Sequence, residues 1–181
     1  CISVQRVLVH ESLFEAFVSA ATERAASLRV GHQLDPDTDV GPMITSAEAE
    51  RAELWVEQAV GAGAELATGG SRRGAYLDPA VVVRPPEETR VWRDEAFAPI
   101  MAVRPFATLD EAIDAVNRSR YGLQTGIYTE RWDEAFEAVR RLRSGGVMVN
   151  DVPTFRVDLM PYGGEKDSGL GREGPRYAVR E

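Results

Sequence analysis

Cys1 opens the chain in CISVQRVLVH and is its only cysteine. As a thiolate, such a residue attacks electrophilic carbon and carries covalent intermediates. The residues around it leave three readings open: a cysteine with no chemical role, an N-terminal nucleophile whose own α-amine is the base, or an internal nucleophile placed first in this segment. A dyad with His10 is disfavoured, because an extended chain at roughly 3.3 Å per residue holds the two about 30 Å apart. His32 lies in the polar stretch HQLDPDTDVGPM and reads as solvated. In WRDEAFAPI, Glu95 and Phe97 stand two residues apart and share one side of an extended chain. An acceptor carboxylate beside an aromatic face suits a ribose hydroxyl next to a flat heterocycle. The plain alternative is a solvated acid at a strand entrance. Arg156, in FRVD, could pair with an anionic group or simply face water.

The stretch PYGGEKDSGLGRE gathers glycines around Lys166 and Arg172, with Lys166 the only lysine of the chain. Glycines permit close backbone approach and positive φ, so the segment is either a structural lock or the wall of a site. Within it, GLGREG (Gly169 to Gly174) matches the dinucleotide fingerprint letter for letter. That fingerprint works after a strand, at the start of a helix and inside a βαβ unit. Irregular sequence precedes this copy and only seven residues follow it, so it is set aside. No cysteine–histidine cluster offers zinc ligands.

The elements that would position these groups follow from periodicity. Strands are expected in VQRVLV, PAVVV, PIMAVRPF, TGIYT and GGVMVND. Helices are expected in ESLFEAFVSAATERAASL, SAEAERAELWVEQAVGAGA, the segment after Thr108, and RWDEAFEAVRRLR. Ser12 with Glu15, Thr45 with Glu48 and Thr108 with Glu111 are spaced as capping boxes, and Gly31 stands beyond the first helix. Alternating β and α segments imply an α/β fold with a largely parallel central sheet in one domain. After Asp151 the pattern dissolves into some thirty residues without a clear element, and stretches of that kind tend to be functional.

The composition limits the alternatives. A chain of 181 residues with 44% apolar and 28% charged content is ordinary for a globular protein. A net charge of −8 argues against nucleic acid held by bulk electrostatics. No apolar run of about eighteen residues predicts a membrane span. One cysteine permits no internal disulfide, and a reducing cytoplasm is the default.

Taken together, these segments resemble the C-terminal catalytic portion of the NAD(P)-dependent aldehyde dehydrogenases. CISVQRVLVH resembles the family segment that begins at the nucleophilic cysteine. DEAFAP resembles its E-x-F-G-P motif, and PYGGEKDSGLGRE its P-F-G-G-x-K-x-S-G-x-G-R-E signature. DPDTDVGPMI, YGLQTGIYT and GGVMVND match in order and spacing. Ala98 replaces the family's Gly, Tyr162 its Phe, and Leu159 a His of the branch in view. The resemblance implies a three-layer sandwich like the family's catalytic domain, truncated at the N-terminus, with the Rossmann cofactor domain absent. It implies Cys1 as nucleophile, Glu95 on the nicotinamide ribose, Phe97 near the nicotinamide, and NAD or NADP as cofactor. Asn150 falls near the aldehyde and is read as organising; Arg156 and Phe155 join it as candidate substrate-binding residues. Lys166 and Arg172 are read as structural.

The substrate implied is a small anionic or hydroxylated aldehyde, in the style of the lactaldehyde, non-phosphorylating glyceraldehyde-3-phosphate and phosphonoacetaldehyde branch. A homo-oligomer is expected, as are exposed apolar surface and an unpaired sheet edge in the fragment. Two other readings stand beside this one: an N-terminal-nucleophile hydrolase using Cys1, and a folded but inert interaction domain.

Overall fold

The run Ala80–Val83 has no polar alternation, the pattern of a strand covered on both faces, and in the computed structural model all four residues are buried. The structure describes residues 2–180. These divide into two compact units, residues 5–106 and residues 2–4 with 107–180.

The unit 5–106 runs β1 (Arg6–His10), a 3-10 turn (Glu11–Leu13), α1 (Phe14–Ala26), α2 (Ser46–Gly61), β2 (Glu65–Thr68), β3 (Arg72–Arg73), β4 (Tyr76–Leu77), β5 (Ala80–Val83), α3 (Arg90–Arg93) and β6 (Ile100–Phe106). Its main sheet has the order β1-β6-β5-β2. β1 and β5 flank β6 in parallel, and β2 joins β5 antiparallel. The strand period of two divides β5 between two cores. Val81 and Val83 pack with Val9, Phe14 and Val103 on the side of α1. Ala80 and Val82 pack with Ala52, Val56 and Ala59 of α2, together with Val91 and Ile100. Helix, sheet and helix therefore stack as three layers, and each fully buried valine contributes about 1.5–3 kcal/mol.

Two of the three caps form as spaced. The hydroxyls of Thr45 and Thr108 accept the N–H groups of Glu48 and Glu111, each at 3.2 Å. The Ser12–Glu15 box does not form. A 3-10 turn separates β1 from α1, and His10 caps that turn through Nδ1, which lies 2.8 Å from Ser12 Oγ. Glu15 instead accepts from Arg84 at 2.9 Å. Gly31 is no helix terminator either: α1 ends at Ala26, and the Gly31 N–H serves a loop by donating to Val40 O.

The second unit contains α4 (Leu109–Asn117), β7 (Tyr121–Gly122), β8 (Gln124–Ile127), α5 (Trp132–Arg141), β9 (Gly146–Val149), β10 (Glu165–Lys166) and α6 (Pro175–Ala178). β8 and β9 pair in parallel, and β7 pairs with β10 antiparallel. Asn117 ties the helices of this unit together, donating to Arg141 O and accepting from Arg143 N. α5 turns Ala135 and Ala138 inward and leaves Trp132 and Phe136 exposed, at 76% and 65%. On its surface, a hydrogen bond from Arg131 holds the Asp133 carboxyl below its ordinary range, and Arg140 and Arg141 do the same for Glu137. Such exposed pairs add little stability. Among the described residues, no helix is long and apolar enough to cross a membrane.

The caps give a direct contrast. Thr45→Ala should cost about 1 kcal/mol, whereas Ser12→Ala should stay within about 0.5 kcal/mol. Urea denaturation of both variants checks the difference, and equal losses would contradict the absence of a Ser12 cap.

Candidate active site

In the unit 5–106, Glu95 and Phe97 lie in the connection between α3 and β6. Ala96 between them is fully buried, while Glu95 and Phe97 are exposed. This is the in–out alternation that the sequence suggests, but the chain is not plainly extended. Phe97 has φ +49°, a left-handed conformation that bulky residues rarely adopt. The two peptide groups of the buried Ala96 are each held by a side chain. The Ala96 N–H donates to Gln5 Oε1 at 2.8 Å, and the Ala96 carbonyl accepts from Arg51 Nη2 at 2.7 Å. Arg51 is itself fixed by Glu48 at 2.8 Å and stacks over Trp55, 4.6 Å from its centroid. An outward carboxylate and an outward ring on a fixed turn fit a ribose diol and a flat heterocycle.

The unit 107–180 carries the other candidates. Asn150 follows β9 with φ +56°, a conformation asparagine tolerates. Its N–H donates to Ile127 O at 2.7 Å, and its Oδ1 accepts from Thr129 N at 2.9 Å. The side chain thus organises the ends of β8 and β9. Phe155 is exposed, in a turn closed by its N–H to Val152 O. Arg156 Nη2 donates to Glu173 Oε2 at 3.0 Å, and its guanidinium lies 4.2 Å from the Tyr162 ring centroid. Tyr162 and Glu173 exchange backbone hydrogen bonds, so the two partners of Arg156 are fixed to each other.

Lys166 Nζ donates to Asn117 O and Ser119 O, which satisfies carbonyls at the C-terminal end of α4. Arg172 Nη1 donates to Gly164 O and Gly171 O, drawing the two ends of the glycine-rich segment together. A Cβ on Gly145 would fall 1.5 Å from Gly163 O, and one on Gly163 would fall 2.4 Å from Gly171 O. These backbones touch, so no other residue fits there. Beside them lies a hollow of about 240 Å³ lined by Leu123, Tyr162, Leu170, Arg172 and Glu173. It is smaller than the roughly 300–1,000 Å³ of a typical ligand pocket.

Cys1 lies outside the described residues. Neither histidine is placed as a base: His10 caps a turn, and His32 Nδ1 accepts from Leu34 N at 3.2 Å. Sequence reasoning passed over Gln5, Arg51 and Glu173. Gln5 could have been noticed as a polar residue leading into an apolar run, but the partners of Arg51 and Glu173 are distant in sequence and left no local signal.

The chain thus combines an α/β layer structure, a held carboxylate–aromatic turn and a glycine-locked C-terminal segment. The aldehyde dehydrogenase family profile matches residues 1–181, and the chain belongs to that family. It is 46% identical over 181 residues to 3-sulfolactaldehyde dehydrogenase of Priestia aryabhattai, covering all of this chain and 38% of that protein. Against a lactaldehyde dehydrogenase of Methanococcus maripaludis the identity is 42%, over all of this chain and 39% of that protein. Aldehyde dehydrogenase 21 of Physcomitrella patens, solved with its reaction product succinate, superposes with TM-score 0.97 at 40% identity, over 99% of this chain and 37% of that one. The glyceraldehyde-3-phosphate dehydrogenase GapN of Methanocaldococcus jannaschii, complexed with NADP, gives TM-score 0.94 at 39% identity, over 99% of this chain and 39% of that one. The chain thus spans about 38% of the length of its curated relatives.

The glycine contact is testable. Gly145→Ala should loosen residues 151–180, seen as faster limited proteolysis there, while Gly61→Ala, at a site with open space around it, should change nothing. Equal protection of the two variants would show that the close approach is not needed.

Proposed function

We propose that this chain is the part of an NAD- or NADP-dependent aldehyde dehydrogenase that carries the nucleophile Cys1 and the nicotinamide-ribose carboxylate Glu95. The family match across the whole chain carries this reading, and the exposed Glu95–Phe97 turn supports it. The chain forms part of one catalytic domain, and the Rossmann cofactor domain belongs to the length of the relatives that lies outside the match. The complete enzyme assembles as a homo-oligomer in the cytoplasm.

The thiol of Cys1 acts as its thiolate, which adds to the aldehyde carbon and gives a thiohemiacetal. A nicotinamide held beside Glu95 and Phe97 would supply the hydride acceptor for that carbon. Cys1 then holds the acyl group as a thioester, and water releases the carboxylic acid and returns the thiol. Glu95 accepts hydrogen bonds from ribose hydroxyls, and Phe97 packs beside the nicotinamide. Asn150 organises the turn next to the aldehyde, with Phe155 as an apolar wall.

The substrate is a small anionic or hydroxylated aldehyde, with Arg156 as the group that meets the anion. The similarity to enzymes named for 3-sulfolactaldehyde and lactaldehyde, and to one solved with succinate, supports this class. So does the setting of Arg156. Its partner Glu173 is 67% exposed, and exposed ion pairs are weak enough for a substrate anion to exchange with the carboxylate. A bidentate guanidinium–anion pair is the stronger of the two.

In the full-length enzyme, Cys1→Ser should abolish acid formation while leaving the fold intact by circular dichroism. Arg156→Ala should raise KM for anionic aldehydes about tenfold or more, the loss expected for a charged hydrogen bond, and leave neutral ones unchanged. Equal effects on both substrate types would remove Arg156 from anion recognition. The purified 181-residue chain alone should form no NAD(P)H from any aldehyde.

A further inference from the structure

We propose that Gln5 is a positioning residue for the cofactor carboxylate: its amide fixes both peptide groups that flank the Glu95 Cα. The proposal rests on the reading of Glu95 as the nicotinamide-ribose carboxylate. Gln5 Nε2 donates to Asp94 O at 2.8 Å, which holds the peptide before Glu95. Gln5 Oε1 accepts from Ala96 N at 2.8 Å, which holds the peptide after it. The second Nε2 proton goes to Val91 O at 2.9 Å, in the last turn of α3, where carbonyls lack helical partners. One acceptor and two donors are thus matched to one N–H and two carbonyls, the complement of a neutral carboxamide.

Gln5 is itself anchored. Its backbone carbonyl accepts from Ala102 N at 2.7 Å, immediately before β1 pairs with β6. From the opposite side, Arg51 grips the Ala96 carbonyl. With φ and ψ of Glu95 bounded by two fixed peptides, its side chain leaves the turn in one direction. A loop without these bonds would let the carboxylate swing. Misplacement of about 1 Å in a catalytic arrangement costs on the order of 100-fold in rate.

The test uses the full-length enzyme with four variants: Gln5→Met, Gln5→Glu, Glu95→Ala and the double variant Gln5→Met/Glu95→Ala. Two quantities are read, the Kd for NAD(P)+ and the single-turnover rate of NAD(P)H formation. Gln5→Met, isosteric but unable to hydrogen-bond, should slow NAD(P)H formation roughly 10- to 100-fold and weaken cofactor binding, with KM for aldehyde unchanged. Gln5→Glu keeps the acceptor for Ala96 but turns a carboxylate oxygen onto the carbonyls of Asp94 and Val91, so its loss should be at least that of Gln5→Met. In the Glu95→Ala background, Gln5→Met should add no further loss, because its effect passes through that carboxylate. Purely structural damage would instead multiply with Glu95→Ala, and that result overturns the proposal. Wild-type cofactor behaviour of Gln5→Met overturns it too. If Glu95→Ala itself leaves cofactor binding and rate unchanged, the ribose reading fails first and the proposal falls with it. Should Gln5→Met not fold, Gln5→Glu, which keeps the acceptor for Ala96 N–H and removes the donor to Asp94 O, takes its place in the cycle with Glu95→Ala. The same loss through Glu95 is expected there, and its absence counts against the proposal.

Discussion

The burial of β5 on both faces is the constraint on which the unit 5–106 depends. Four consecutive apolar residues cannot face water on either side without exposing two of them, so the strand requires α1 on one face and α2 on the other. The same strand sets the register of β6 in parallel and of β2 antiparallel. Once β5 and β6 are neighbours, the connection between them must leave one end of the sheet and return to the other. Glu95 and Phe97 lie in that connection. Their place at the strand ends of the sheet, just before β6, follows from the core before any catalytic requirement is considered.

A recurring division of labour appears in both units: side chains proposed to meet ligands are exposed, and the groups that aim them are held at several points. Glu95 and Phe97 flank a buried Ala96 whose N–H is held by Gln5 and whose carbonyl is held by Arg51. Arg156 lies on the Tyr162 ring and pairs with Glu173, and these two partners are locked by reciprocal backbone bonds. Lys166 and Arg172, the cations of the glycine-rich segment, spend their donors on backbone carbonyls rather than on an open surface. Charge-assisted bonds to carbonyls are stronger than neutral ones, which suits residues whose task is to hold irregular backbone in place.

Much of this was legible in the sequence where the determinant is local. Thr45 and Thr108 cap their helices because a hydroxyl three residues before a free N–H needs no distant partner. The strands around Val82, Ala102 and Met148 were visible as short β-branched or apolar runs. Ser12 misled because the spacing of a capping box says nothing about the 3-10 turn that competes for the same residues. α5 shows the reverse case. Its helical period is plain, yet Ala135 and Ala138 face inward while Trp132 and Phe136 face out, an orientation that no hydrophobicity rule would choose.

By itself, the sequence determined the alternation of β and α segments and the family, and it singled out Cys1, Glu95, Phe97 and the glycine-rich segment as candidates, because these depend on residue type and order along the chain. Tertiary structure alone decided that Gln5 and Arg51 hold the N–H and the carbonyl of Ala96, across 91 and 45 residues of sequence. It also decided that Glu173 holds Arg156, and that Gly145 must be bare because Gly163 passes against it. Hydrogen bonds and close backbone contacts between remote segments exist only after the layers have packed. Residue type declares what a side chain can donate or accept, but packing chooses its partner.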